Sequence, residues 1–405
     1  MKILKFPKNF LWGVSTSAYQ IEGGINNDWS EWEKMKDRIK KLEAGGKITE
    51  DFICGQACDS YNRYEEDLAL VKNLNCGAFR VGVEWARIEP EQGKFNRAEI
   101  EHYRQVLMAF KQRNIKSAVT LWHWTSPVWF AGLGGWSNIN AVKFFTPYVE
   151  LMVKELGGLI DFWVTINEPM AYLYNSFYLG IWPPNKKSIF LTRQAYSNLI
   201  KAHKESYGMI HGQYPKASVG LTMLANNFQP AHDWNFLEII FAKLANHFWN
   251  DRLVMKLKGD YDFLGLDYYF HDRIIWRPPF IKNLNKEVTD MGWEIYPAGI
   301  ERVLKNYAKF KKPLFIMENG LADRTDGKRM KFITDHLRYV HQALKQGVQV
   351  RGYFYWSLLD NFEWDKGFGP KFGLFSVDRK TFKRTARPSA KLFGEICKNN
   401  RLKVD

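Results

Sequence analysis

The chain has 405 residues, 46% hydrophobic and 25% charged, so it can form a large core and does not resemble a disordered protein. No uncharged apolar run reaches 18 residues, which excludes an ordinary transmembrane helix, and the first residues lack a secretory signal pattern. The formal charge of +15 is spread along the chain without a nucleic-acid-binding motif. We therefore expect a solvated basic surface, at most weakly attracted to anionic polymers, with no nucleic-acid and no membrane partner.

The four cysteines are too few for a disulfide scaffold. Cys54 and Cys58 are four residues apart, but no second Cys/His pair follows at the spacing of a zinc site. We predict that these two residues, Cys76 and Cys397 are reduced and structural. Together with the missing signal pattern, this favours a cytoplasmic location.

Short β-rich runs alternate with longer amphipathic stretches along the chain. The predicted strands cover 11–18, 78–83, 116–122, 161–167, 218–224, 262–269, 313–319 and 350–358. The helical patterns between them include 60–74, 99–113, 141–156, 194–213, 299–310 and 331–347. Eight strand–helix units predict parallel strands with right-handed crossovers, closed into a (β/α)8 TIM barrel. Since no linker or composition break interrupts the pattern, we expect one domain over 1–405.

Polar and aromatic residues recur where the predicted strands end. In a TIM barrel the reacting groups gather at the C-terminal ends of the strands, so these residues are the candidates for a site. They show no cluster at metal-ligand spacing, and no glycine-rich phosphate loop follows the first strand, so we expect neither a metal nor a cofactor. The candidates in chain order are Gln20, Glu22, Arg80, His123, Asn167, Glu168, Asp267, Tyr269, Glu318, Asn319, Trp356, Glu363 and Trp364.

Two of these candidates are glutamates that end the fourth and the seventh strand, Glu168 and Glu318. These strands lie across the mouth of an eight-stranded barrel, so the two carboxyl groups can face each other over a central pocket. Carboxyl groups about 5 Å apart serve retaining glycoside hydrolysis, and about 6.5–9.5 Å apart they serve inversion. One of them must be protonated, and burial beside a second negative charge raises its pKa. Asn167 can hydrogen-bond a sugar hydroxyl, and Arg80 can keep Glu318 ionised if it points into the barrel.

Five segments carry a resemblance to the family-one glycoside hydrolases. "WVTINEP" (163–169) is similar to the acid/base motif of that family, and "FIMENG" (315–320) to its nucleophile motif. "FLWGVSTSAYQIEGG" (10–24) resembles its N-terminal signature, and "YFYWSLLDNFEW" (353–364) and "KFGLFSVD" (371–378) its C-terminal sugar-binding segment. The segments occur in family order, and the resemblance extends from residue 6 to about residue 390.

The resemblance implies a retaining β-glycosidase that needs no cofactor, with Glu168 as acid/base and Glu318 as nucleophile. Its implied substrates are small β-glycosides or oligosaccharides with a terminal non-reducing β-D-glucosyl residue, and also β-D-galactosyl or β-D-fucosyl residues. They are hydrolysed through a covalent glycosyl-enzyme. Trp122 and Phe372 line the pocket in family members, although both fit equally well as core aromatics. The other implied pocket residues are Gln20, His123, Asn167, Glu363 and Trp364, with Trp356 as the floor, Tyr269 bonded to the nucleophile and Arg80 orienting it.

The chain departs from the family pattern in three places. Asp267 stands where the family usually has asparagine, which adds a carboxyl group near Glu318 and to the predicted substrate-binding residues. Trp124 stands where phenylalanine is common. Segments 225–262 and 270–293 are short for the family, and we predict that they form loops that leave the aglycone side open.

Three alternatives stay open from the sequence. A hydrolase of 6-phosphorylated glycosides needs a cationic pocket, against which Glu363 argues. A non-hydrolytic sugar-binding barrel is disfavoured by the presence of both glutamates. Transglycosylation cannot be separated from hydrolysis, and the preferred epimer, the natural substrate and the oligomeric state do not follow from the sequence.

Overall fold

The computed structural model describes residues 2–404. Eight parallel strands pair in chain order, and the eighth pairs with the first, which closes a barrel. This confirms the TIM barrel predicted from the strand–helix alternation. The strands are β1 (Leu11–Ser15), β2 (Ala78–Gly82), β3 (Lys116–Trp122), β4 (Phe162–Ile166), β5 (Ser218–Leu224), β6 (Phe263–Asp267), β7 (Leu314–Asn319) and β8 (Val350–Trp356).

Helices surround the barrel. They include α1 (Ser60–Asn73), α2 (Arg97–Gln112), α3 (Ala141–Leu156), α4 (Ile189–Gln213), α5 (Phe236–Asn246), α6 (Arg252–Leu257), α7 (Ala298–Tyr307), α8 (Arg329–Lys345) and α9 (Pro388–Asn399). Further helices in the connections are Ala18–Glu22, Asp28–Glu33, Lys36–Ala44, Trp85–Ile88, Val128–Gly132 and Pro169–Leu173.

Helix α2 shows why these segments are helical. The side chain of Asn96 accepts hydrogen bonds from the backbone N–H groups of residues 98 and 99, which satisfies two of the free donors at the helix start. Ile100, Tyr103, Leu107 and Phe110 recur at spacings of three and four residues, and all are buried against the barrel.

The interior of the barrel is layered. Ala78, Ala118 and Phe354 belong to an apolar cluster that fills the barrel. Side chains two residues further along a strand point to the same face, so Arg80 on β2 and Thr120 on β3 lie in the next layer towards the C-terminal ends. The sequence of β2 therefore places the guanidinium of Arg80 directly above this apolar cluster.

The segments that the sequence predicted as open loops are more ordered than expected. Asn227–Pro230 pairs in parallel with His271–Ile274, and α5 packs against this small sheet. The prediction of plain loops over 225–262 and 270–293 is therefore wrong, because these short segments form helices and a sheet of their own.

The cysteines lie in the interior, and Sγ of Cys76 is 3.8 Å from Sγ of Cys397. Cys54, Cys58, Cys76 and Cys397 are all buried with free thiols. The terminal strands Lys2–Lys5 and Arg401–Val404 pair antiparallel, and Phe375–Val377 pairs with Arg384–Ala386. Between residues 2 and 404 the structure has no helix long and apolar enough to span a bilayer.

Candidate active site

A cavity of ≈ 550 Å³ opens at the C-terminal ends of the strands. Glu168 and Glu318 lie on its wall, together with aromatic rings and a few polar groups, which is the usual composition of a small-molecule site. Eight predicted site residues line it: His123, Glu168, Tyr269, Glu318, Trp356, Glu363, Trp364 and Phe372. Four more, Gln20, Arg80, Asn167 and Asp267, are buried behind this wall or below it.

Glu168 reaches the cavity through an unusual backbone conformation. It lies between the end of β4 and a short helix that begins at Pro169, with φ at +38°. A positive φ is strained for glutamate and needs support from its surroundings. The N–H of Glu168 donates to the carbonyl oxygen of Thr222 at 3.1 Å and to its hydroxyl at 3.3 Å, so β5 holds the glutamate in place.

The two predicted catalytic glutamates and Asp267 are close together. One carboxylate oxygen from each of the three groups lies within 4.8 Å of the others. In residues 2–404 this is the one group of three potential metal-ligating side chains close enough to share a metal ion. The negative charge of Glu318 is already balanced by its ion pair with Arg80.

Glu318 is held by two strong donors. Nη1 of Arg80 donates to its Oε1 at 2.5 Å, and the hydroxyl of Tyr269 donates to its Oε2 at 2.6 Å. Burial raises the pKa of Glu318, while the charge of Arg80 and the hydrogen bond from Tyr269 lower it. Glu318 is therefore the carboxyl group in the site that has the most support for its ionised form.

Glu168 is in the opposite electrostatic situation. Burial raises its pKa well above the ordinary value, and the charges of Asp267 and Glu318 raise it further. No cation among residues 2–404 forms an ion pair with its carboxyl group, in contrast to Glu318. Glu168 is therefore suited to carry a proton at neutral pH.

Asp267 ends β6 and is completely buried. Within the described residues, neither of its carboxyl oxygens has a hydrogen-bond partner. Burial, followed by the charge of Glu318, raises the pKa of Asp267 well above the ordinary value, which favours its protonated form. It does not form part of the cavity wall, although it lies beside both glutamates.

Asn167 links Arg80 and Thr222 to His123 through hydrogen bonds. Its Oδ1 accepts from the hydroxyl of Thr222 at 2.6 Å and from Nη2 of Arg80. Its Nδ2 lies 3.0 Å from Nε2 of His123, so the amide donates and this ring nitrogen accepts. Burial holds the pKa of His123 well below its usual value, so the ring is neutral with its proton on Nδ1. That nitrogen is buried and has no partner among residues 2–404.

Glu363 is a fourth carboxyl group of the site and lies on the cavity wall. Nε2 of Gln20 donates to Oε2 of Glu363 at 3.3 Å and to the carbonyl of Phe362 at 2.7 Å. Burial raises the pKa of Glu363 to about 8, with a further contribution from the charge of Glu318. Glu363 is consequently protonated in most molecules at neutral pH.

Aromatic rings complete the wall. The rings of Trp364 and His123 are stacked at 5.7 Å, and Trp364 also packs against Trp124 at 4.8 Å. The ring centroid of Trp122 lies 5.1 Å from that of Trp136 and 4.8 Å from that of Tyr172. Trp122 is not on the cavity wall and is a core aromatic, which was the alternative left open by the sequence.

Two other candidates have structural partners. Glu22 pairs with Arg87 at 2.9 Å, away from the cavity. Asn319 accepts from the hydroxyl of Tyr353 at 2.8 Å and is completely buried. Neither side chain lines the cavity.

Thr222 and Trp182 are among the residues of the site that were not predicted from the sequence. Thr222 supports both Asn167 and Glu168, and the signal for it was a lone polar residue within the buried run of β5. Trp182 lines the cavity and donates from Nε1 to Asp365 at 2.9 Å, and no pattern in the sequence marked it.

Comparison with known proteins gives consistent results. The model of the family described as "Glycosyl hydrolase family 1" matches residues 3–271 and 250–402. The chain is 31% identical over 453 residues to beta-glucosidase A of Acetivibrio thermocellus, covering 99% of this chain and all of that protein.

Solved structures extend the likeness to three dimensions. The beta-glycosidase from Pyrococcus horikoshii has a TM-score of 0.89 and 35% identity, with 100% of this chain and 97% of that one covered. A beta-glucosidase from Thermotoga maritima in complex with glucoimidazole also has a TM-score of 0.89, with 28% identity and coverage of 98% and 99%. The protein with this buried pair of glutamates therefore belongs to glycosyl hydrolase family 1.

Proposed function

We propose that this β-glycosidase is a retaining exo-enzyme that acts by double displacement through a covalent glycosyl-enzyme. Its substrates are small glycosides with a terminal non-reducing β-D-glucosyl residue, and also β-D-galactosyl or β-D-fucosyl residues. The observation that carries the proposal is the short separation of Glu168 and Glu318, whose nearest oxygens lie within 4.8 Å. Retention needs carboxyl groups about 5 Å apart, whereas inversion needs room for a water molecule and about 6.5–9.5 Å.

The first step is attack by Glu318 on the anomeric carbon. Arg80 and Tyr269 keep its carboxylate ionised and fix both of its oxygens. As the new C–O bond forms, the bond to the aglycone oxygen breaks and Glu168 gives its proton to that oxygen. The carboxyl group of Glu168 supplies this proton, and its raised pKa favours the protonated form.

The second step returns the enzyme to its starting state. Glu168, now ionised, removes a proton from a water molecule that attacks the anomeric carbon. The bond between the sugar and Glu318 breaks, and the carboxylate is again neutralised by Arg80. Two inversions at the same carbon give a product of β configuration.

The remaining wall residues fit the sugar. The side chain of His123, on the cavity wall, donates to a hydroxyl group, and Glu363 and Gln20 bond hydroxyl groups remote from the reacting carbon. The ring of Trp356 offers an apolar face to the C–H groups of the sugar.

Neutral glycosides are favoured over 6-phosphorylated ones. Glu363 is acidic, and the cation of Lys366 on the cavity wall is paired with Asp365 at 2.7 Å. A phosphate dianion would meet a carboxyl group where it needs a free cation.

The stereochemical course tests the proposal directly. An aryl β-glucoside is hydrolysed in the NMR tube, and the anomeric proton signals are followed from the first minutes. We expect the β-anomer of glucose to appear first and the α-anomer to form only by mutarotation. An α-anomer that appears first would show inversion and contradict the double displacement. A panel of aryl gluco-, galacto-, fuco-, manno- and 6-phosphogluco-sides then defines the preferred sugar.

A further inference from the structure

Large apolar side chains are exposed around one side of the cavity mouth. They lie in the segments that follow β4, β5 and β6, which are neighbours in the barrel. Trp234, Phe190 and Phe236 are 82%, 77% and 71% exposed. We call this surface the apolar rim and define it by Phe190, Trp234, Phe236, Phe241, Trp276 and Phe280, all of which are exposed.

Helix α5 has its apolar side towards solvent. At 100° per residue, Phe236, Leu237, Phe241 and Leu244 fall on one side of the helix, and all four are exposed. The opposite side carries the buried Glu238 and Ala242. A surface helix normally buries its apolar side, and contiguous exposed apolar surface marks an interaction site.

Cations outnumber acidic residues in the segments that carry the apolar rim, where Asp233, beside Trp234, is an exposed acid. Residues 174–193 and 276–286 together contain six lysines and arginines and no aspartate or glutamate. Lys243, Arg252 and Lys256 add three exposed cations along α5 and α6. The acidic Asp251 beside them is paired with Lys309 at 2.6 Å.

One residue of the apolar rim adjoins the catalytic cavity, because Phe280 is followed by Ile281, which is 45% exposed and lines the cavity. A second groove of ≈ 950 Å³ contains Tyr178, Phe248, Arg252 and Lys256. Tyr174 and Trp249 line both this groove and the catalytic cavity, and their rings are 5.7 Å apart. A surface that covers Phe280 therefore lies beside the entrance of the site.

We propose that the apolar rim docks onto an anionic phospholipid bilayer. Aromatic and aliphatic side chains on one side of a helix, flanked by lysine and arginine, are the combination that binds in the plane of the headgroup region. The phosphates supply the opposite charge, at about 1 kcal/mol per basic residue near the surface. A second copy of this chain on the same surface would bring like charges together, which disfavours a self-associated dimer.

This inference revises the expectation of no membrane partner. That expectation was drawn from the missing transmembrane segment, and docking in the headgroup region requires none. The proposal goes beyond the proposed function and is independent of the roles of the two glutamates. It places the mouth of the cavity at the membrane surface.

Sedimentation with vesicles tests the docking. The full chain is mixed with vesicles of phosphatidylcholine alone, or with one third phosphatidylglycerol, and the bound fraction is measured over a range of salt concentrations. We expect binding to the anionic vesicles, which weakens with salt but is not abolished because the apolar contacts are insensitive to screening. Absence of binding at low salt would overturn the proposal.

Matched variants separate docking from the general attraction of a basic protein. Phe236→Ser with Phe241→Ser keeps the charge and should weaken binding about tenfold or more. The control Ile48→Ser with Ile139→Ser removes apolar side chains that are 66% and 81% exposed elsewhere, and should bind like the wild type.

Lysine variants test the electrostatic contribution to docking in the same way. Lys243→Glu with Lys256→Glu should weaken binding about tenfold or more. Lys154→Glu with Lys398→Glu makes the same change on α3 and α9, outside the segments that carry the apolar rim, and should have a smaller effect. Hydrolysis of a soluble aryl glucoside should stay at the wild-type rate in all four variants, which shows that they are folded.

Two results would overturn the proposal. Equal weakening by both charge pairs would mean diffuse attraction without a defined surface. A dimer in analytical ultracentrifugation that is lost in Phe236→Ser with Phe241→Ser would assign the apolar rim to a second copy of the chain.

Discussion

Asp267 and Glu318 are register partners on the neighbouring strands β6 and β7, so both carboxyl groups reach the same buried end of the barrel. Arg80 neutralises Glu318, whereas Asp267 has no partner for either oxygen within residues 2–404. An isolated buried carboxylate is costly, so the pKa of Asp267 is raised. Beside the ion-paired Glu318, the raised pKa values of Glu168 and Asp267 favour the protonated form of both groups.

The first prediction concerns Asp267→Asn. The negative charge that Asp267 develops at high pH raises the pKa of Glu168, so its removal should lower that pKa. The basic limb of the kcat/KM profile reports loss of the proton from Glu168, and it should move to lower pH. The unfolding free energy should change little, because asparagine has the same shape. Asp260→Asn, outside the barrel, should leave the limb in place, and an unmoved limb in Asp267→Asn would contradict the coupling.

The second prediction concerns Glu363. Burial raises its pKa to about 8, and the ionised form accepts stronger hydrogen bonds from hydroxyl groups. The KM for a neutral glucoside should therefore fall as the pH rises through about 8. In Glu363→Gln this dependence should be missing and KM should be about tenfold higher or more. Faster hydrolysis of a 6-phosphoglucoside than of the plain glucoside by the wild type would overturn the assignment.

The third prediction links Glu84 to stability. This buried carboxyl group accepts from the hydroxyl of Thr125 at 2.8 Å, and burial raises its pKa to about 7. The unfolded chain has a pKa of about 4.3 at this residue, so between pH 4.3 and 7 the folded state binds more protons. Stability should fall as the pH rises through this window, by up to about 1.4 kcal/mol per pH unit for this group.

Urea denaturation at pH 5, 6 and 7 measures the effect. In Glu84→Gln the decline should be shallower, because glutamine does not titrate. Glu91→Gln, which removes an exposed glutamate, is the matched control and should keep the wild-type slope.

Much of the architecture could be predicted from the sequence. Eight buried strand patterns separated by helical ones are compatible with few folds. A TIM barrel brings its strand ends together, so Glu168 and Glu318 could be paired although they are 150 residues apart in the sequence. The position of Arg80 inside the barrel follows from the two-residue period of β2.

Other features depend on tertiary structure. The segment "FLEIIFAKLAN" of α5 is apolar enough to suit a core, and only the fold shows that its apolar side faces solvent. Trp122 and Trp124 are two residues apart, but Trp124 has φ at +70° after β3 has ended. This turn puts Trp124 on the cavity wall and leaves Trp122 in the core, which no strand period predicts.

The last prediction separates the two glutamates by their chemistry. Glu318→Ala removes the nucleophile, so every substrate should be hydrolysed far more slowly, whatever its leaving group. Glu168→Ala removes proton donation, which is worth about 10²–10⁴ in rate. A dinitrophenolate leaving group hardly needs that proton, so this variant should form the glycosyl-enzyme quickly and then stall, because activation of water also needs Glu168.

Azide makes the distinction visible, because it is a nucleophile that needs no base. In Glu168→Ala it should attack the glycosyl-enzyme from the face that water uses, restore turnover and release the β-glycosyl azide. In Glu318→Ala it can attack only from the vacated side of the sugar and should give the α-azide. NMR of the isolated products assigns the two configurations. Azides of the reverse configurations would show that Glu318 is the acid/base and Glu168 the nucleophile. An equal loss of rate in both variants, for every leaving group, would show that the two glutamates do not have separate roles.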